Sequence, residues 1–157
     1  MLSDMHVRLI AVDRLRTSYA AAACTELRKR IAPYYNYDEI EVPAGNGNDP
    51  RAAMRDEAAH IVRHLQSGDR VWLLERAGTE LSSLDVATRI EEIAHAGVRR
   101  WALIVGGAFG TAPSVRARAD FAWSLSPLTF LHEWARMIVL EQLYRAAKIV
   151  RNEPYHH

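Results

Sequence analysis

Glycine residues crowd the end of one apolar run, and this is where the chain offers its clearest opportunity for chemistry. Residues 101–105 are apolar throughout, and Gly106, Gly107 and Gly110 follow them. Glycine at the carboxyl end of a buried strand lets the backbone approach a ligand closely. The spacing matches neither a Walker A loop nor the G-x-G-x-x-G dinucleotide pattern. The stretch therefore predicts either a small-molecule site or a plain tight turn.

Two other segments are expected to reach the same place. Gly78 follows the apolar run at residues 71–74 and predicts a turn, and residues 125–130 follow a short apolar run that begins at Phe121. The carboxyl ends of parallel strands lie at one edge of a sheet, where α/β proteins bind small molecules. The three segments therefore predict one pocket.

Metal and nucleophile chemistry have weaker support. His60 and His64 have the spacing of one helical face, but no further ligand completes a metal site, so we interpret them as surface histidines. Cys24 lies in an alanine-rich segment and is expected to be a buried small residue. A G-x-S-x-G motif is absent, which disfavours acyl transfer by a serine triad.

The C-terminus ends in Pro154, Tyr155, His156 and His157. Chain termini are usually disordered, and that is one interpretation of this tail. In the other, the tail folds back onto a site, to which Tyr155 adds a stacking ring and His156 an imidazole.

The elements that position these residues alternate between strand and helix. Apolar strands without polar alternation indicate a sheet covered on both faces. Asp49 with Pro50 and Ser82 or Ser83 predict helix starts, and Gly97 predicts a helix end. The fold class is α/β, a mostly parallel sheet with helices on both faces, in a single domain spanning residues 1–157. Strands are predicted at 7–12, 39–42, 71–74, 101–105 and 121–125, and helices at 15–32, 50–66, 83–96, from 113, and at 131–150.

Charge is unevenly distributed along the chain. Residues 1–98 contain 12 Lys and Arg against 15 Asp and Glu, whereas residues 99–157 contain 8 against 4, within a net charge of +1. The basic C-terminal third predicts either a solvated helical surface or a phosphate-binding face. One cysteine, no signal peptide and no long apolar run predict a soluble cytoplasmic protein that does not enter a membrane.

Several segments together resemble the ribosomal RNA large-subunit methyltransferase H family, the small SPOUT-class enzymes that methylate N3 of a pseudouridine in 23S rRNA. The resemblance covers essentially the whole chain, and the ordered C-terminal set is specific where any single motif would be weak. Those motifs are Val105-Gly106-Gly107-x-x-Gly110, Ser124-Leu125-Ser126-x-x-Thr129-Phe130-x-His132, Arg136, Leu140-Glu141-Gln142-Leu143-Tyr144-Arg145-Ala146 and Pro154-Tyr155-His156.

The resemblance implies a C-terminal deep trefoil knot whose loops bind S-adenosylmethionine, with no metal. It also implies a homodimer with the last helix in the interface, consistent with an apolar stripe that includes Trp134, Met137, Ile138 and Leu140. Burial within one protomer would produce the same stripe. The cofactor contacts that it implies are Leu74, Gly106, Leu125, Ser126, Pro127, Leu128, Thr129 and Phe130.

The resemblance also suggests roles in catalysis and RNA binding. Loss of the N3 proton is expected to need help, for which His156 is the candidate, with Tyr155 contacting the base. Arg136 is a candidate for catalysis and RNA contact, and His132 is either a site residue or structural. The candidates for contact with 23S rRNA in the large subunit or ribosome are Arg136, Arg145, Arg116 and Arg118.

Two positions depart from the family pattern: Asp13 stands where glycine is usual, and Thr79 where lysine is common. These departures motivate one alternative, a non-catalytic ribosome-binding or assembly protein with the same fold. A SPOUT methyltransferase acting on tRNA is another, although such enzymes usually carry an added RNA-binding domain for which 157 residues leave no room.

Overall fold

Strands and helices alternate along the part of the chain that the structure describes. A computed structural model describes residues 2–154. The strands are β1 (His6–Val12), β2 (Asn36–Val42), β3 (Arg70–Glu80), β4 (Arg100–Val105) and β5 (Phe121–Ser124). The helices are α1 (Ser18–Ile31), α2 (Pro50–Val62), α3 (Ser83–His95), α4 (Pro113–Arg118) and α5 (His132–Val150), preceded by a 3-10 turn at Leu2–Asp4.

All five strands lie in one sheet in the order β2-β1-β4-β3-β5, and every neighbouring pair is parallel. The α/β class with a parallel sheet is therefore confirmed. Because no pair is antiparallel, the carboxyl ends of all the strands point to the same edge. The trefoil knot that the resemblance implies stays a prediction.

Helices cover both faces of the sheet. On one face, α1, α3 and α5 pack over alternate residues of the central strands, such as Leu9 and Leu103. On the other face, α2 and α4 pack over the intervening residues, such as Ile10 and Ile104. Full burial on both sides is the reason that β1 and β4 are apolar at nearly every position.

The predicted helix boundaries have clear local causes. Asp49 caps α2 by accepting a hydrogen bond from the Arg51 backbone N–H at 3.1 Å, and Pro50 occupies the first turn. Ser82 caps α3 in a reciprocal capping box with Asp85. Gly97 follows α3 with a φ of 73°, a left-handed conformation that glycine adopts without steric cost.

Gly78 is an exception, because the predicted turn there is wrong. Strand β3 continues to Glu80, and its pairing with β5 shifts register between Leu74 and Thr79. A Cβ on Gly78 would lie 2.5 Å from the Ala122 carbonyl oxygen. Glycine is required here because the two strands approach too closely for a side chain.

The apolar stripe of α5 is divided between two environments. Leu140 is completely buried in the core beside α1 and α3, so it does not belong to an exposed stripe. Trp134 is 46% exposed, and Met137 and Ile138 are half-buried. Among residues 2–154, no helix combines the length and apolar character that crossing a bilayer requires.

Candidate active site

A cavity of about 400 Å³ opens at the carboxyl edge of the sheet, next to β3, β4 and β5. Its volume is within the range of small-molecule sites. Residues from β3 and from the segments after β4 and β5 line this one cavity, as predicted. The β3 residues that do so, Leu74, Glu75 and Arg76, lie within the strand and not in a turn after it. The lining residues are Leu74, Glu75, Arg76, Val105, Gly106, Gly107, Ala108, Phe109, Gly110, Thr111, Arg116, Trp123, Leu125, Ser126, Leu128, Thr129, Phe130, His132 and Ala135.

The glycine-rich segment after β4 is both a tight turn and a wall of this cavity. The Gly110 N–H donates to the Gly107 carbonyl oxygen at 3.1 Å, and Gly110 has a φ of 88°. A Cβ on Gly106 would lie 2.7 Å from Thr111 Cγ2, so the turn itself excludes a side chain there. The two interpretations left open by the sequence are therefore compatible.

The segment after β5 forms the opposite wall and is shaped by its own serines. Ser126 Oγ accepts a hydrogen bond from the Leu128 N–H at 3.0 Å, and Ser124 Oγ donates to the Ser126 carbonyl oxygen at 3.2 Å. Of the residues predicted to contact the cofactor, only Pro127 does not line the cavity.

The first turn of α5 closes the cavity and is tied to the segment before α1. Glu133 is buried and accepts hydrogen bonds from the Arg16 N–H at 2.5 Å and from Thr17 Oγ1 at 2.5 Å. These hydrogen bonds hold the pKa of the Glu133 carboxyl below its ordinary value, because they favour the ionised form. His132 lines the cavity, and its buried Nε2 has no hydrogen-bond partner among residues 2–154.

Arg136 lies in the core rather than on an RNA-facing surface. Its side chain is 1% exposed, and its Nη1 is 2.8 Å from Glu41 Oε2. Its Nη2 is 3.6 Å from Glu39 Oε2, and Nη1 also contacts the Asp13 carbonyl oxygen. This burial and these two carboxylate partners disfavour a direct phosphate contact, and the roles of Arg136 in RNA binding and catalysis stay predictions.

The other arginines predicted to bind RNA differ in their surroundings. Arg116 is half-exposed, lines the cavity and pairs with Glu75 at 3.1 Å. Arg118 donates to the carbonyl oxygens of Gln66 and Asp69, and so fastens the turn before β3. Arg145 pairs with Glu141 one turn earlier on α5 at 2.6 Å. The charge of the basic third is thus largely engaged within the protein.

The tail residues Tyr155 and His156, predicted to act in catalysis, lie outside the residues that the structure describes. Cys24 is completely buried, as predicted. Within residues 2–154, no three His, Cys, Asp or Glu side chains lie close enough to hold a metal ion.

Two carboxylates outside the cavity lining have roles that the sequence did not reveal. Asp13 has a φ of 71°, and its side chain accepts hydrogen bonds from the Arg14 N–H and from Arg16. Glu57 of α2 is 5% exposed and lies against Gly107. No local pattern marked Glu57, because an acidic residue in a helix is ordinarily solvated.

Comparison with known proteins agrees with this geometry. The profile of the family described as "Predicted SPOUT methyltransferase" matches residues 5–156. The ribosomal RNA large subunit methyltransferase H of Gloeobacter violaceus is 42% identical over 153 residues, covering 98% of this chain and 99% of the relative. The enzyme of the same name from Stenotrophomonas maltophilia R551-3 is 38% identical over 155 residues, covering 97% and 99%.

A solved structure supports the fold. The structure of a "probable methylase family protein" from Haemophilus influenzae Rd KW20 superposes with a TM-score of 0.52 at 13% identity, covering all of this chain and 72% of that one. The parallel sheet, the cavity at its carboxyl edge and the matched profile define a methyltransferase of the SPOUT class. The chain belongs to the ribosomal RNA large subunit methyltransferase H family.

Proposed function

We propose that this protein transfers a methyl group from S-adenosylmethionine to large-subunit ribosomal RNA. The observation that carries the proposal is its full-length similarity to proteins named ribosomal RNA large subunit methyltransferase H, at 42% identity for the relative from Gloeobacter violaceus. In its finer form, the acceptor is N3 of a pseudouridine in 23S rRNA, as the family resemblance implies. Because ribosomes are the proposed substrate, we place its action in the cytoplasm.

The cavity suits the proposed cofactor. Its glycine-rich wall offers backbone groups at close range, and Gly106 keeps that wall free of a side chain. Trp123 and Leu125 supply apolar surface, which a nucleoside base requires. When bound, S-adenosylmethionine supplies an activated methyl group on a sulfonium. The residues proposed to hold it are Leu74, Gly106, Leu125, Ser126, Pro127, Leu128, Thr129 and Phe130.

The acceptor nitrogen needs to lose its proton for transfer to occur. N3–H of a pyrimidine base is a weak acid, so a positioned base lowers the barrier. We assign this role to His156, with Tyr155 contacting the nucleotide base. Among residues 2–154, His132 is the histidine that lines the cavity, and its buried Nε2 has no hydrogen-bond partner there. Arg136 contributes to the site by holding α5 in position through its ion pair with Glu41.

RNA is proposed to approach across the mouth of the cavity. Arg116 is the arginine from the predicted set that combines exposure with a place on the cavity wall. Arg118 and Arg145 already contact protein acceptors, so their contribution to phosphate binding would be secondary. Phosphate contacts of this kind weaken as salt is added, because counterions compete for the backbone.

We also propose that the protein acts as a homodimer through the exposed end of α5. Trp134 and Tyr19 are about half-exposed, their rings are 6.0 Å apart, and Trp134 Nε1 donates to Tyr19 Oη at 3.3 Å. Leu131, 61% exposed, extends this apolar area beside the cavity. Exposed aromatic groups of this kind are typical of the centre of an interface.

The test is methyl incorporation from labelled S-adenosylmethionine into ribosomes or large subunits that lack the modification, followed by mapping of the labelled nucleotide. We expect label at N3 of one pseudouridine in 23S rRNA. Label in tRNA would instead identify a tRNA methyltransferase. Cofactor binding without incorporation into any RNA would favour a ribosome-binding or assembly protein.

A matched pair of glycine variants connects this activity to the cavity. Gly106→Ala places a methyl group 2.7 Å from Thr111 Cγ2 and should lower both cofactor affinity and incorporation. Gly68→Ala, where the added Cβ meets nothing within 4 Å, should leave both unchanged. Equal behaviour of the two variants would contradict the assignment of the cavity.

A further inference from the structure

A buried carboxylate lies directly beneath the glycine-rich wall of the cavity. Glu57 projects from α2, is 5% exposed and does not line the cavity itself. A Cβ built on Gly107 would lie 2.8 Å from both Glu57 Oε1 and Oε2. The carboxylate therefore fills the space behind the segment 106–110, on the side away from the cavity.

The same carboxylate reaches a second loop. The Gly45 backbone N–H lies near the Glu57 carboxyl and favours its charged form. Gly45 also lies so close to α2 that a Cβ there would be 2.4 Å from the Ala53 Cα. The loop after β2 and the loop after β4 thus both press against α2, and Glu57 is the side chain between them.

The environment of Glu57 is costly for a charge. Its Oε2 has no hydrogen-bond partner, and no ion pair reaches it among residues 2–154. Burial raises the pKa of the Glu57 carboxyl despite the nearby Gly45 N–H, and the Asp13 and Asp56 carboxylates raise it further. An apolar side chain at this position would make the folded protein more stable. We therefore attribute the acid to the glycine-rich segment that it holds in place.

We propose that Glu57 is a positioning residue that fixes the glycine-rich segment 106–110 in the conformation that binds the methyl donor. Its carboxylate acts through the volume that it occupies behind Gly107. Without it, the segment can move toward α2 and withdraw the Gly106 backbone from the cofactor. This inference rests on the proposed function for the identity of the cofactor.

The experiment compares Glu57→Ala and Glu57→Gln by direct titration with S-adenosylmethionine and by steady-state kinetics. Glu57→Ala should raise the cofactor Kd and KM about tenfold, because a segment that is no longer held in its binding conformation has to be ordered when the cofactor binds. Its kcat at saturating cofactor should stay within about threefold of the parent value. Glu57→Gln keeps the volume and should bind nearly as the parent protein does.

Asp56→Ala, an exposed change on the same helix, is the matched control and should leave the Kd unchanged. A cofactor Kd for Glu57→Ala equal to that of the control would overturn the inference. So would equal losses in the alanine and glutamine variants, because glutamine retains the volume of the glutamate side chain behind Gly107.

A second pair keeps the inference testable if Glu57→Ala does not fold. Gly107→Ala brings its methyl group against the Glu57 carboxylate, so cofactor affinity should fall. Shortening the acid in the double variant Gly107→Ala with Glu57→Asp should restore part of that affinity. A double variant that binds no better than Gly107→Ala would overturn the inference.

Different results would overturn the proposed function and the proposed role of Glu57. A parent protein that binds S-adenosylmethionine but leaves ribosomal RNA unmethylated would overturn the proposed function. The effect of the Glu57 variants on the cofactor Kd would still decide the role of this residue.

Discussion

Asp13 shows how a single side chain replaces glycine at a position that the family resemblance assigns to glycine. Its φ of 71° lies in the left-handed region, where most side chains are strained. The carboxylate compensates by accepting hydrogen bonds from the Arg14 N–H at 2.9 Å and from Arg16. Burial favours a higher pKa for Asp13, but these hydrogen bonds hold the pKa below its ordinary value. Asp13 therefore preserves the turn after β1 through its own side-chain hydrogen bonds.

Substitution of Asp13 separates backbone strain from the side-chain contacts. Asp13→Ala should lower the free energy of unfolding by about 1–2 kcal/mol, because alanine keeps the left-handed strain and loses the hydrogen bonds. Asp13→Gly should cost less, since glycine adopts positive φ freely. Urea denaturation of both variants measures the difference. An alanine variant as stable as the glycine variant would show that strain at residue 13 is unimportant.

At the scale of elements, α5 connects the core, the cavity and the exposed aromatic surface. Its first turn is held by Glu133, which binds the segment before α1, and its second by Arg136, which binds β2. Leu140 and Leu143 are buried in the core, and Tyr35 Oη donates to the Leu143 carbonyl oxygen at 2.7 Å. The position of His132 at the cavity therefore depends on contacts made by the rest of the helix.

The pH dependence of stability tests the attachment of α5. Because the folded pKa of Glu133 is lowered, its contribution is fully present above the ordinary value of 4.5 and is lost as the pH falls through the lowered pKa. Glu133→Gln should lower the free energy of unfolding by about 2 kcal/mol at pH 7. The difference should shrink as the pH falls below 4.5.

The exposed Glu91→Gln on α3 is the control for this measurement and should change stability little at any pH. Chemical denaturation over a series of pH values makes the comparison. A Glu133→Gln difference that is the same at all pH values would contradict a role for the ionised carboxylate.

At the scale of the whole molecule, the cavity proposed to bind the cofactor and the two surfaces proposed for RNA and dimer contact lie near the same end of the sheet. The cavity, Arg116 and the Tyr19–Trp134 pair all adjoin the carboxyl edge or the start of α5. Several cations elsewhere in the basic third are already paired, including Arg100 with Asp69 at 2.7 Å. We expect the RNA-binding surface and the dimer interface to lie next to each other. Each would contribute groups around the cavity.

The proposed dimer is tested by charge at its centre. Trp134→Glu places an uncompensated carboxylate within an apolar contact and should convert the protein to a monomer. Leu84→Glu alters another exposed apolar residue, on α3, and should leave the dimer intact. Sedimentation velocity distinguishes the two species. A Trp134→Glu protein that sediments as the parent dimer would exclude this surface from the interface.

The proposed RNA surface is tested by charge reversal. Arg116→Glu should weaken binding to the ribosomal substrate and reduce the slope of log affinity against log salt by about one, the change expected for one lost phosphate contact. Arg70→Glu, exposed at the amino end of β3, is the matched control. Methylation rates measured across a salt series give the comparison. Equal salt slopes for the two variants would remove Arg116 from the RNA-facing surface.

The sequence determined the class of fold and much of the site. Apolar runs alternating with helical segments predicted the α/β class, because strands that are buried on both faces are apolar at nearly every position. Capping residues marked the starts of α2 and α3, since a cap is a local interaction. The glycines after β4 were recognisable because close backbone approach restricts residue type. The segment after β5 was recognisable from its place after an apolar run and from the family resemblance.

Only the tertiary structure decided which residues are buried and what they contact, because burial depends on partners that are distant in sequence. Arg136 became a core residue through Glu41, which lies 95 positions away. Gly78 became part of a strand through its contact with Ala122. Glu57 became the support of the glycine-rich wall because α2 crosses beneath Gly107. A local sequence pattern limits the chemistry that is available to a residue. Packing determines which neighbouring groups that residue contacts.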